Sequence, residues 1–184
     1  MKSIISEYIE SNQIIIRNAI SEDIGELRSI CESWVDKKYL EGDLFEVDYI
    51  ENCLSFGDLP PILNANKDYY RFKSICSKEN SKIIGFLDIY HGYPTTESIW
   101  ISILVIAHEI QQKGFGHEVI ELISKEAKEK KYTSIGIGVH LKNWKGIRFW
   151  SSNGFDKIKR ISGDNNYSEN NFSVIYLEKA IDLH

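Results

Sequence analysis

The sequence predicts one mixed α/β domain, and three observations carry that prediction. Runs of β-branched residues alternate with segments whose apolar residues recur at helical spacing. A nearly uninterrupted apolar run, SIWISILVI at 98–106, has the composition of a strand buried on both faces. No internal repeat, low-complexity tract or interdomain linker divides the 184 residues, a length at which one core needs no staples.

The first element is IIIRNA (14–19), a short β-branched strand. Ser21-Glu22-Asp23 then offers a helix N-cap with acids in the first turn, and Ile24, Leu27, Ile30, Cys31 and Trp34 recur at helical spacing. A second helix is expected over 47–54, stopped by GDLPP (57–61), where two prolines suit neither helix nor central strand. RFKSICSK and KIIGFLDIY, joined by ENS, read as an antiparallel hairpin. HGYPTTES is a loop before the strand at 98–106. From His117 to Lys130, Val119, Ile120, Leu122, Ile123 and Ala127 form one apolar stripe, and the lysine-rich end suits a helix C-terminus. SIGIGVH (134–140) is a strand, Asn143 to Ser152 a short helix, and Asn153-Gly154 its stop. DKIKRI and FSVIYLEKAI close the chain as two strands around GDNNYSEN. The order is β-α-α-β-β-β-α-β-α-β-β, in a domain spanning 1–184 whose first segment, 1–13, reads as an N-terminal extension.

Net charge is −5, with no block of like charge. That argues against a nucleic-acid partner, which calls for a basic face, and mildly suits a cationic substrate. Cys31, Cys53 and Cys76 are odd in number, far apart and in no metal-like spacing. Each reads as a small buried hydrophobe, and no metal is expected. The N-terminal MKSIISEYIESNQ lacks a signal-peptide pattern and no apolar run reaches membrane-spanning length, so the expectation is a cytoplasmic protein without a membrane partner.

Chemistry is concentrated where the strand at 98–106 hands over to the next helix. The stretch 106–116 reads IAHEIQQKGFG, and its Q-Q-K-G-F-G ends at the mouth of a helix. It is neither GxxxxGK[ST] nor GxGxxG, and two glycines there also suit a plain turn. Its placement favours an anion cradle, because unpaired N–H groups and the positive dipole end converge at a helix N-terminus. Gly114 and Gly116 would let an anionic group approach the backbone without meeting a Cβ.

On these residues the chain resembles the GCN5-related N-acetyltransferase superfamily. That superfamily's Q/R-x-x-G-x-G/A signature stands here as Gln111-Gln112-Lys113-Gly114-Phe115-Gly116. Its N-x-x-A-x-x-F-Y-x-x-x-G-F block is matched in spacing about 30 residues on, by Asn143, Gly146, Phe149, Trp150, Gly154 and Phe155. The resemblance covers most of the chain and implies a GNAT-like, mixed and largely antiparallel twisted sheet of about 6–7 strands, flanked by helices on both faces. It implies acetyl-CoA as cosubstrate. Pantetheine would enter between the strands at 98–106 and 134–140 and pair with Leu104, Val105 and Ile106. The pyrophosphate would meet the N–H groups of Gln111, Gln112, Lys113, Gly114, Phe115 and Gly116, with Asn143, Phe149 and Trp150 completing the CoA site. The implied reaction is direct transfer of an acetyl group to a primary amine, expected to be that of a small molecule, in a ternary complex.

The chain departs from the family pattern in three places. Trp150 stands where many relatives carry a tyrosine, and an indole N–H cannot surrender a proton near neutral pH. Trp100 stands where some relatives place a basic glutamate, which leaves Asp88 and Glu97 as the candidate bases, ahead of His91. His108 replaces a frequent proline and reads as a loop residue; His117 either helps neutralise phosphate or lies on the helix surface. Tyr69, Tyr70, Tyr90, Tyr93 and Trp100 are candidates for an acceptor pocket or for ordinary strand packing. A non-catalytic acyl-CoA-binding sensor is the alternative these departures keep open. A homodimer paired through the closing strands is one arrangement the pattern allows.

Overall fold

The computed structural model describes residues 4–183. Its strands are β1 (Tyr8–Glu10), β2 (Ile14–Asn18), β3 (Tyr70–Ser77), β4 (Ile83–His91), β5 (Ser98–Ile106), β6 (Ser134–His140), β7 (Lys157–Gly163) and β8 (Ser173–Ala180). They form one sheet in the order β1-β2-β3-β4-β5-β6-β8-β7. Every neighbouring pair is antiparallel except β5–β6. Helices α1 (Ile24–Ser33), α2 (Lys37–Glu41) and α3 (Tyr49–Ser55) precede β3; α4 (Phe115–Glu129) joins β5 to β6, and α5 (Trp144–Ser152) follows β6.

The expected mixed, largely antiparallel sheet is present, with eight strands instead of six or seven. The added strand is β1, inside the segment 1–13 that the sequence sets apart; residues 1–3 of that segment lie outside the described residues. Only Ile9 of its three residues is buried, too little for a period to show. Helix α2 was also not anticipated, and its five residues bury no side chain.

Alternation along the strands sends side chains to two cores, one on each face. One holds Ile14, Ile16, Leu87, Ile89, Ile99 and Ile101 under the α4 stripe of Val119, Ile120, Ile123 and Ala127, all essentially solvent-free, with Leu122 partly buried at its margin. The other holds Phe72, Phe86, Tyr90 and Val105 under Leu27 and Ile30 of α1 and Ile50 of α3. Cys31, Cys53 and Cys76 are buried and free, as the sequence suggests.

Asp23 anchors the start of α1 to the sheet. Its carboxylate accepts from Arg17 at 2.6 and 2.8 Å, from Ser74 Oγ at 2.7 Å and from the Ile20 N–H at 3.1 Å. Burial opposes its ionisation, yet these donors hold its carboxyl below the usual carboxylate range. At the other end of the sheet face, the buried Lys73 Nζ donates to the carbonyls of Ser6 (2.7 Å) and Glu7 (3.2 Å), and the Ser6 N–H donates to Glu126 (2.9 Å). Burial pushes the Lys73 ammonium down to about 8.

Candidate active site

The parallel pairing of β5 with β6 runs from Ser98↔Ser134 to Ile101↔Ile137 and then stops, although the strands continue to Ile106 and His140. Beyond that point β5 stays paired to β4 (Leu87↔Leu104, Phe86↔Val105, Gly85↔Ile106), and β6 to β8 as far as His140↔Val174. The facing edges, 102–106 on β5 and 138–140 on β6, therefore form a wedge whose backbone groups are not paired with each other. An extended ligand carrying amides can add to such an edge as a strand does.

A bulge starts the wedge. Asp88 pairs with Ile103 and Ile89 with Ile101, so Ser102 is the extra residue. The freed Ser102 and Ile103 N–H groups donate to Asp88 Oδ1 at 3.0 and 3.1 Å, and the Tyr70 hydroxyl donates to Oδ2 at 3.2 Å. Asp88 has no exposed surface. Burial, reinforced by the nearby charge of Asp58, pushes its carboxyl up to about 7 against the pull of these donors. The same burial, with Asp88 beside them, raises the phenols of Tyr49 and Tyr70. Burial by the surrounding protein raises the Asp58 carboxyl as well.

Glu97 is exposed and precedes the N-terminal end of β5, where its carbonyl accepts from the Thr133 N–H at 2.9 Å. The wedge opens at the opposite end of the strand, so the structure does not bring Glu97 to it. His91 is sealed and satisfied: Nδ1–H donates to the Tyr69 carbonyl (2.7 Å), and Nε2 accepts from the Ile5 N–H (3.1 Å). Burial pushes it down to about 4, so it stays neutral and structural.

At the wedge mouth, Gln111 Nε2 donates to the Ile106 carbonyl at 2.9 Å and ties the loop to the end of β5. Gln112 and Gly114 turn through positive φ, +63° and +90°, and α4 begins at Phe115. Its first N–H groups and positive dipole end therefore lie beside the end of β5. The two glycines differ in role. A Cβ on Gly114 would meet nothing within 4 Å, so that backbone is open to a ligand. A Cβ on Gly116 would stand 2.9 Å from Phe149 Cε2, so this glycine clears room for a ring of the core. Lys113 is exposed, as is His108. His117 lies on the helix surface, with Nδ1 2.6 Å from Asn153 Oδ1 and Nε2 3.3 Å from Glu121.

Asn143 caps α5, its Oδ1 accepting from the Gly146 N–H at 2.8 Å, which leaves the amide nitrogen for another partner. Trp150 is 8% exposed and wedged between Phe149 (5.0 Å between centroids) and Phe155 (4.9 Å). Its indole belongs to the core, so the structure does not place it as a wall of the wedge.

The opposite sheet face carries Trp100, an aromatic the sequence singles out, and His140, which it does not. Trp100 lies flat across β6, where Cβ atoms on Gly136 and Gly138 would approach its ring to 2.9 and 3.7 Å, and meets Tyr93 and Tyr176 at 5.2 and 5.9 Å. His140 ends β6 on the same face. The end of α2 reaches the same place, since Phe172 touches Gly42 and stands edge-on to His140 at 6.3 Å. The polar residue ending SIGIGVH, in step with its two glycines, is the sequence signal that marks His140.

Comparison with known proteins agrees with this geometry. A probable acetyltransferase of the GNAT family from Chromobacterium violaceum superposes with a TM-score of 0.73 over 97% of this chain and 89% of that one, at 13% identity. The spermidine N-acetyltransferase of Vibrio cholerae, in complex with CoA and spermine, gives 0.69 over 93% and 97% at 16% identity. At such identities the likeness is one of fold. A tRNA(Met) cytidine acetyltransferase of Saccharolobus solfataricus is 30% identical over 80 residues, 44% of this chain. The chain spans about a tenth of that curated relative's length. Among the described residues no helix is long and apolar enough to cross a membrane. The model of the acetyltransferase (GNAT) family matches residues 29–155, most of the chain, and with the wedge and its glycine loop in place the chain belongs to that family.

Proposed function

We propose that the protein transfers the acetyl group of acetyl-CoA to the primary amine of a small cationic molecule, with both substrates bound together. The observation that carries this reading is the wedge: β5 and β6 part after Ile101↔Ile137, beside a helix mouth opened by Gly114. Acetyl-CoA would supply the activated acetyl group. The edge at Leu104, Val105 and Ile106 would pair with its pantetheine arm, the amides from Gln111 to Gly116 would hold its pyrophosphate, and the Asn143 amide would orient the arm. Phe149 would support the loop by filling the space over Gly116, and Trp150 would support Phe149.

Of the two carboxylates considered as bases, Asp88 remains in the proposal and Glu97 does not. Asp88 would hold the bulge amides of Ser102 and Ile103 in place, and its charge, with that of Asp58, would favour a cationic acceptor. That the Vibrio cholerae relative is a spermidine acetyltransferase supports an amine of this kind.

The test mixes the protein with acetyl-CoA and a panel of alkylamines, spermidine, spermine and phosphinothricin. Free thiol release and product mass are followed. Thiol release matched by an acetylated amine is expected. CoA binding by calorimetry without turnover on any amine would favour the acyl-CoA sensor instead, and no CoA binding would overturn both readings.

A further inference from the structure

We infer that His140 takes the proton from the acceptor ammonium, an inference that rests on the acetyl-transfer reading above. It ends β6 on the face that carries Gly136 and Gly138, two residues and therefore about 6–7 Å beyond Gly138 along the strand. That position is on the part of the β6 edge beyond the last β5–β6 pair, Ile101↔Ile137. Trp100 closes the floor on one side, and Phe172 with the end of α2 closes it on the other.

The imidazole has no hydrogen-bond partner among the described residues, and its Nδ1 is sealed from solvent. The contrast with His91 and His117, whose ring nitrogens are engaged, is direct. A buried polar atom left unpaired is destabilising, so such an atom calls for a partner that arrives with the ligand. Asp88 is already committed to three donors, and Glu97 lies at the wrong end of β5.

The ring is held neutral, the state a base requires. Burial lowers its pKa from 6.5; Glu41 of α2 opposes that and Lys37 of α2 adds to it, and these two lie 3.3 Å apart as an ion pair. Phe172 and Val174, which face it from the β7–β8 side, carry no charge, and the Lys142 ammonium lies over the Phe172 ring at 3.9 Å. In the step, the ammonium gives one proton to a ring nitrogen of His140. The freed electron pair forms the C–N bond at the thioester carbonyl carbon. The C–S pair leaves on sulfur, which takes the second proton from nitrogen, while the imidazolium releases the first to water.

The experiment compares wild type, His140→Gln and His140→Ala on an amine that turns over. The expected result is a kcat lowered about 10²–10⁴-fold, with calorimetric CoA affinity unchanged. The acidic limb of the wild-type pH profile, lying below 6.5, should vanish in His140→Gln, and added imidazole should restore rate to His140→Ala. By NMR, the His140 ring should titrate below 6.5, and its resonances should move when the amine is added to the CoA-bound protein. Turnover with a normal kcat and acidic limb in His140→Gln overturns this inference alone. Loss of CoA affinity along with rate also overturns it, by assigning the residue to the shape of the wedge. A wild type that acetylates no amine overturns the acetyl-transfer reading, and this one with it.

Discussion

Phe149 occupies the space that a side chain on Gly116 would need, with its Cε2 2.9 Å from the missing Cβ. Gly114, two residues earlier, has free space around it but a φ of +90°. The signature glycines should therefore fail in different ways. Gly116→Ala should overpack the core and cost about 1–3 kcal/mol without CoA. Gly114→Ala should cost about 1 kcal/mol in backbone strain, and its methyl should weaken CoA binding at least tenfold. Denaturant unfolding of the free proteins and calorimetry with CoA separate the two. Equal CoA affinities in the two variants would remove the distinction.

His91 sets an acid limit on stability. Burial holds its folded-state pKa at about 4, against 6.5 unfolded. Above 6.5 both states are neutral and the fold keeps its full stability. As pH falls from 6.5 toward 4 the unfolded chain takes up a proton that the folded one refuses, and stability drops. At about 1.36 kcal/mol per unit of pKa, the loss approaches roughly 3 kcal/mol near pH 4. Unfolding free energies from pH 8 to 4 should show this slope in the wild type and lack it in His91→Gln.

Asp88 works in the opposite direction. Its folded-state pKa of about 7 lies above the 3.8 of an ordinary aspartate, so its contribution is full below about 4 and declines as pH rises through 7. Asp88→Asn keeps an oxygen for the Ser102 and Ile103 amides and removes the buried charge. The variant should therefore be more stable than wild type at pH 8, by at most about 4 kcal/mol, and similar to it near pH 4. Its kcat should fall on any cationic acceptor. Melting curves at the two pH values check the first expectation and thiol release the second.

What could be read in advance depended on how far apart the interacting residues lie. The runs that became β5 and β6 and the stripe of α4 are long enough to display their period, and the sequence bounds fall on or near those of the structure. β1 and α2 are too short and bury too little for any period. Asp88 stood out as a polar residue inside GFLDIY, but the bulge amides that explain it belong to another strand. The purpose of Gly116 depends on Phe149, and that of Gly136 on Trp100, contacts that exist only after folding. Trp150 followed the family spacing, yet its burial beside Phe155 is set by the core.

On the proposed reading Trp100 lines the acceptor side and not the donor side, so its replacement should act on one alone. The indole rests over Gly136 and Gly138 and meets Tyr93 edge-on and Tyr176 tilted, on the face opposite the α4 core. None of the loop 111–116 touches it through these contacts, so CoA binding should not register its loss. Trp100→Ala should uncover the strand at Gly136 and Gly138 and raise KM for the amine at least tenfold while calorimetric CoA affinity stays within twofold. Stability should fall by about 2–3 kcal/mol, less than for a fully buried tryptophan because the ring is only partly buried. Gly136→Ala offers the converse perturbation: its methyl drives the indole off the strand, and the amine KM should rise with little change in volume. If either variant weakens CoA as much as the amine, Trp100 belongs to the donor side of the wedge and the division drawn from its contacts is wrong.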